Sequence, residues 1–356
     1  MTAYPGFSTA RMDAIFAHAA RVAAMVKVEA AVATAQAGTG AIPDEAAAAI
    51  VTACAQPVDA RILADGWEAG TPVLPMLDAL KERLPATMHQ HLHRGLTTQD
   101  VVDTATMCLI AEAVHHLGKL ADAAAMSLKG TIAASGSVST AARSFLQPAD
   151  VTTFGFRLAR WLEQLDHGRA RLQSAQTPVQ LGGLIGDRLD LADDVVVAVA
   201  EQLGLDVRAP WHTDRSPIVD VVNLAGELAR WAAKIGVDIA QLTQLGEVTT
   251  RAGGSSAAAG KRNPIDAMRA AAAAEVALGV ATVITHAKPL ELERGLGSWH
   301  AEWFAVPVVF QAAAAAMEAT VAALTSLRVE PSTLAISDER RIAADGYVTS
   351  VLEQSP

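Results

Sequence analysis

The chain has 356 residues, 51% of them hydrophobic but only 4% aromatic, and a net charge of −10. That length can bury a large core in two or three domains, and an apolar content made mostly of Ala, Val and Leu favours helix over sheet. The acidic balance argues against nucleic-acid binding and a polybasic membrane surface, yet leaves room for an anionic substrate in a local cationic pocket.

Residues 11–37 carry apolar positions at helical spacing (Ile15, Val22, Met25, Val26, Ala33) and end near Gly38 and Gly40. Pro43-Asp44-Glu45 opens a second helix over 44–55. Two more follow, near 58–69 and over 74–84, stopped by Gly70-Thr71-Pro72 and by Pro85. These short elements predict an N-terminal helical domain over 1–92.

The pattern then lengthens. Ala-rich helices are expected near 99–133, 149–174, 187–203, 216–250, 264–286 and 302–327. Helices this apolar cannot bury themselves singly, so an all-α central bundle over 93–327 is predicted, its core shared between subunits. Residues 328–356 are short and polar and predict a small terminal helix or two. No run alternates like a strand. Gly182-Gly183-Leu184-Ile185-Gly186 lacks a preceding strand, so a phosphate loop is weakly supported.

The start of the chain has no basic stretch followed by an apolar one, so no signal peptide is expected. The apolar run 270–285 is broken by Glu275 and short for a span of ~20 residues. Cys54 and Cys108 read as reduced core residues. A soluble, cytoplasmic protein that binds neither membrane nor nucleic acid is expected.

Four segments could carry chemistry. In His89-Gln90-His91-Leu92-His93-Arg94-Gly95-Leu96-Thr97-Thr98-Gln99-Asp100, alternating histidines share a face only if extended. No nearby Cys or H-x-x-x-H pair supports ligation, so no metal is expected. The plain reading is a polar loop with Thr97 or Thr98 capping a helix. A helix N-terminus carrying two hydroxyls and Gln99 is also a carboxylate site.

The second segment, 142–155, contains Arg143 and Gln147, which by themselves are ordinary loop polar groups, followed by Pro148. The third, Gly254-Ser255-Ser256-Ala257-Ala258-Ala259-Gly260-Lys261-Arg262-Asn263-Pro264, is too small and polar to be core. Its side chains can hold a carboxylate, and a serine alkoxide can take a proton. The fourth, Glu291 to Trp303, clusters scarce aromatics with Arg294 and His300; Trp residues at helical spacing are usually core.

Together these strings resemble the fumarase/aspartase superfamily. H-R-G-L-T-T-Q-D-V-V-D-T-A is similar to its first conserved region, with Thr98 for Ser. Residues 142–155 are similar to the second, with Pro148 where many relatives have a general-acid His. The serine loop resembles the signature G-S-x-x-M-x-x-K-x-N, with Ala258 for Met and Ala259-Gly260 for a Pro-containing turn. These changes leave the loop less restrained and predict a costlier closure. W-H-A-E-W, P-W-H-T-D-R around Arg215, and V-Q-L-G-G resemble the 3-carboxy-cis,cis-muconate cycloisomerase branch. The resemblance runs from about residue 7 to 327 and stops where a C-terminal helical domain would begin, so a short form is expected.

The resemblance implies a homotetramer whose active sites each combine three chains, acting without a cofactor on a small polycarboxylate in protocatechuate degradation, the beta-ketoadipate pathway. It implies Ser255 and Lys261 as catalytic residues. His93, Arg94, Thr97, Thr98, Gln99, Arg143, Gln147, Arg215, Asn263, Arg294 and His300 would bind substrate. The alternatives are a fumarate-releasing lyase like adenylosuccinate lyase and a scaffold without activity, the latter suggested by the changes at 148 and 258–260.

Overall fold

A computed structural model describes residues 5–256, 258, 260–287, 290–295 and 297–356. Ala257 and Ala259 of the serine loop and Leu296 lie outside the described residues. The fold is all-α, with short strand pairs at its connections.

The N-terminal part holds α1 (Ala10–Ile15), α2 (His18–Gly38), α3 (Asp44–Cys54), α4 (Ile62–Glu68), α5 (Val73–Lys81) and a 3-10 turn (Ala86–His91). Helix α2 packs against α3 and against α6 (Thr98–Ser135). An antiparallel hairpin follows, β1 (Ser139–Ser144) with β2 (Gln147–Thr153). Then come α7 (Phe154–Gln173), α8 (Asp193–Leu203) and α9 (Ser216–Gln244).

The hairpin corrects the helix expected over 149–174, which begins only at Phe154 with Thr153 as its cap. Val151, Thr152 and Thr153 are β-branched and pair with Ser139–Ala141, a contact local periodicity does not report. The helix expected over 187–203 starts at Asp193, and the one over 216–250 stops at Gln244.

The second half contains β3 (Val248–Thr249), β4 (Ala252–Gly253), β5 (Asn263–Pro264), α10 (Ile265–Thr285), α11 (Ser298–Ser326), β6 (Arg328–Val329) and α12 (Asp338–Gln354). Helices α6, α7, α9, α10 and α11 form the bundle, and α10 packs on both α9 and α11. Their contacts are alanine-rich: Ala267, Ala270, Ala273, Ala274 and Ala277 of α10 and Ala312–Ala316 of α11 are all buried. Small side chains let helix axes approach closely.

By length and composition α10 and α11 could each cross a membrane, so the expectation that run 270–285 is too short fails, because the helix begins at Ile265. Met268 and Val283 leave part of α10 apolar and exposed. The polar tail forms one helix, α12, which packs on α7 and β2, with the Tyr347 ring tilted against Phe156 of α7 at 5.0 Å.

The bundle has two ends. Helix α6 is 38 residues long, about 57 Å at ~1.5 Å per residue. Its N-terminus and that of α9 lie together, joined by an Arg215–Asp103 ion pair. At the other end, the β1–β2 hairpin meets the segment after α9 through the Arg143–Glu247 ion pair.

Candidate active site

The near end of the bundle is built on the start of α6. Thr97 caps it with a capping box: its Oγ1 accepts from Asp100 N, and Asp100 Oδ2 accepts from Thr97 N at 2.8 Å. Asp100 is fully buried. Its carboxylate also accepts from Gly182 N at 2.8 Å, Gly183 N at 3.2 Å and Gln180 Nε2 at 3.1 Å. The glycine loop therefore spends its N–H groups on Asp100, not on a phosphate. Gly186 is at φ +86°, and a Cβ there would lie 2.2 Å from His212 Cε1, so only glycine fits.

Gln99 links three segments. Its amide nitrogen donates to His212 O at 2.8 Å and to Asp103 Oδ2 at 3.2 Å, and its oxygen accepts from Arg294 Nη1 at 2.8 Å. Arg294 also donates to the carbonyls of Leu184 and Gly183. His212 is buried with its Nδ1 unpartnered. Burial, then the Arg294 charge, push its imidazole below the ordinary value.

Arg215 sits over the Trp211 ring, 4.8 Å from its centre, between Asp103 and Glu302. Burial opposes its charge, but the two carboxylates outweigh that and raise the guanidinium above its ordinary value. Burial pushes the Glu302 carboxyl up, against the pull of Arg215. Trp299 Nε1 donates to Asp103 Oδ1 at 2.9 Å.

Two expected substrate ligands are thus committed elsewhere. Arg215 makes four donor contacts to Asp103 and Glu302, and Thr97 is spent on Asp100. Both hold the frame. Thr98 is half-buried beside them and Arg94 is exposed, its Nη1 on Ala41 O at 2.8 Å. His300 lies at the start of α11 with Nε2 3.1 Å from Gly70 O and its ring edge-on to Trp67. His93 has φ 59° and its Nδ1 is 2.6 Å from Glu29 Oε1. Among the described residues no cluster of metal-ligating side chains forms. His89 Nε2 instead faces the Lys81 and Leu84 carbonyls.

The far end carries the remaining residues. Arg143 on β1 pairs with Glu247 and donates to Ala141 O at 3.1 Å. Gln147 and Pro148 open β2, exposed, after a two-residue turn whose Phe145 and Leu146 have φ 50° and 64°. The serine loop is closed at its neck by β4–β5 pairing, by Arg251 on Asp266 (Nε–Oδ2 2.8 Å), and by Asn263 Nδ2 donating to Gly254 O at 3.1 Å. Ser255 is half-buried there, its Oγ accepting from Ala258 N at 3.2 Å, while Lys261 is exposed.

One chain therefore brings His93, Thr98, Gln99, Arg294 and His300 together at one end, and Arg143, Gln147, Ser255, Lys261 and Asn263 at the other. Glu29, His212 and Glu247 were missed as site neighbours. Glu29 is the one acid within 18–38, and a lone acid in an apolar helical run was the available signal.

A family described as Lyase matches residues 7–279. A 3-carboxy-cis,cis-muconate cycloisomerase of Pseudomonas aeruginosa is 34% identical over 342 residues, 91% of this chain and 74% of that protein. A nitrosuccinate lyase of Streptomyces davaonensis is 35% identical over 345 residues, 90% of this chain and 73% of that one. The crystal structure of a 3-carboxy-cis,cis-muconate lactonizing enzyme from Pseudomonas putida superposes with a TM-score of 0.82 at 31% identity, covering 91% of this chain and 76% of that one.

Proposed function

The chain belongs to this lyase family, and from that premise we propose that it interconverts 3-carboxy-cis,cis-muconate and 4-carboxymuconolactone in protocatechuate degradation, in the cytoplasm and without a cofactor. The observation that carries the reading is similarity to a cycloisomerase over 91% of the chain, through both ends of the bundle.

In the lactonising direction a substrate carboxylate adds across a double bond. Negative charge builds on the carbon beside another carboxylate, and that carbon is then protonated. Ser255 carries this proton, as acid when lactonising and as base in reverse. Lys261 and Asn263 stabilise the charge as it develops. His93, Arg94, Thr98, Gln99, Arg143, Gln147, Arg294 and His300 receive the carboxylates, Arg forks being best suited. Arg215 and Thr97 position these groups.

Ser255 and Gln99 stand at opposite ends of one chain, so the site combines ends from different copies. Exposed Met268 and Val283 on α10 support assembly, and a homotetramer supplies it. Within each chain, 1–92 is an N-terminal domain, 93–327 the bundle, and 328–356 a short C-terminal helical segment.

A second reading is favoured by one observation: the nitrosuccinate lyase is equally similar. A nitro group leaves as weakly basic nitrite, so that elimination would also tolerate Pro148.

The deciding experiment follows ultraviolet loss of 3-carboxymuconate, with nitrosuccinate and adenylosuccinate in parallel. Turnover of the first, lost by about 10³-fold or more in Ser255→Ala, is expected. Unchanged rate in the variant would remove the proton carrier, and preference for nitrosuccinate would select the second reading.

A further inference from the structure

Burying a carboxylate is costly unless a partner compensates it. The Glu29 side chain on α2 is 1% exposed, and its ion-pair partner is His93. The nearby Cys54 thiol feels the Glu29 charge but is pushed up to about 12, chiefly by burial, and stays neutral. His93 is therefore the group that answers this carboxylate.

We propose that Glu29 is the positioning residue of His93: it takes the hydrogen bond from Nδ1 and so fixes the ring with Nε2 turned towards the substrate. The assignment rests on reading this end of the bundle as a polycarboxylate site. A carboxylate only accepts hydrogen bonds, so at 2.6 Å the Nδ1 atom must be the donor.

The backbone here is anchored independently. Gln36 lies two turns after Glu29 on the same face of α2 and donates to Arg94 O at 2.9 Å. Arg94 in turn grips Ala41 O. Removing the Glu29 charge should thus free the imidazole without releasing the segment. The left-handed backbone at His93 is one that few side chains adopt, and it turns the ring from the start of α6 back towards α2.

The test is Glu29→Gln, which keeps size and removes charge. KM for 3-carboxymuconate should rise about tenfold or more while kcat falls less than about threefold, and Glu29→Asp should recover part of the KM. In ¹⁵N spectra of histidine-labelled protein, with His93 assigned from its loss in His93→Gln, the Nδ1–H tautomer should be present in wild type. A wild-type KM in a folded Glu29→Gln, or an Nε2–H neutral ring in wild type, overturns the assignment. The wild-type spectrum decides even if the variant fails to fold. It needs no substrate, so failure of the proposed reaction would be seen separately.

Discussion

Arg215 and Asp103 form a two-pronged pair, Nη1 to Oδ2 at 2.7 Å and Nη2 to Oδ1 at 3.0 Å. It ties the residue before α9 to the second turn of α6. Through it, two segments 112 positions apart set the frame on which Gln99 and Arg294 converge. The pair is buried, so its loss should be felt in folding and not only in catalysis.

Replacing Arg215 with Met leaves Asp103 and Glu302 buried without their cation. Breaking such a pair from one side costs about 3–5 kcal/mol. A melting temperature several degrees lower, measured at one protein concentration, is the expected result. Melting equal to wild type would show that the triad contributes little.

The roughly 57 Å length of α6 keeps Gln99 and Ser255 apart in a single chain. Mixed assemblies of Ser255→Ala and Gln99→Leu should therefore regain activity that neither has alone, because some sites draw both wild-type residues from different copies. If co-refolded mixtures stay as inactive as the separate variants, the shared site is wrong.

Pro148 stands where many superfamily members carry a general-acid His. A leaving carboxylate has a conjugate acid of pKa ~4 and departs without a proton. Pro148→His is thus expected to change the lactonisation rate by less than about threefold. A large gain would mean the reaction does need that acid.

Glu247 predicts a pH effect. Burial pushes its carboxyl up, but Arg143, Thr140 and Arg157 together outweigh this and hold it below its ordinary value of 4.5. A depressed carboxyl stabilises the fold above the unfolded value, and that stability is lost as pH falls through the folded one. Glu247→Gln should be less stable than wild type by about 1.5–3 kcal/mol near pH 7, as for hydrogen bonds to a charged group. The gap should shrink below pH 4.5. A gap that stays constant in melts from pH 7 to 3.5 would contradict the assignment.

Much of this molecule was legible in order of residues. Helical spacing and alanine content identified α3, α10 and α11 to within a few positions, since an apolar stripe repeats with the helix turn, whereas the single helix expected over 11–37 is broken into α1 and α2. Thr97 was named as a possible cap from its place before an apolar run, and it is one. The β1–β2 hairpin was not legible, because Val151 to Thr153 gain their partners from residues before a turn. Arg215 looked like a substrate ligand because a sequence shows its charge but not the two carboxylates that consume it.

The sequence by itself determined the all-α class, the long bundle helices and the four segments whose strings resemble the family's, because these depend on periodicity and on neighbours along the chain. Only the tertiary structure decided which polar groups are spent and which remain. Glu29 meets His93 across 64 positions, Arg294 meets Gln99 across 195, and the Ser255 loop is carried to the opposite end of the bundle. Such meetings are set by how helices pack and how far they reach, and helix length is what separates Gln99 from Ser255 within one chain.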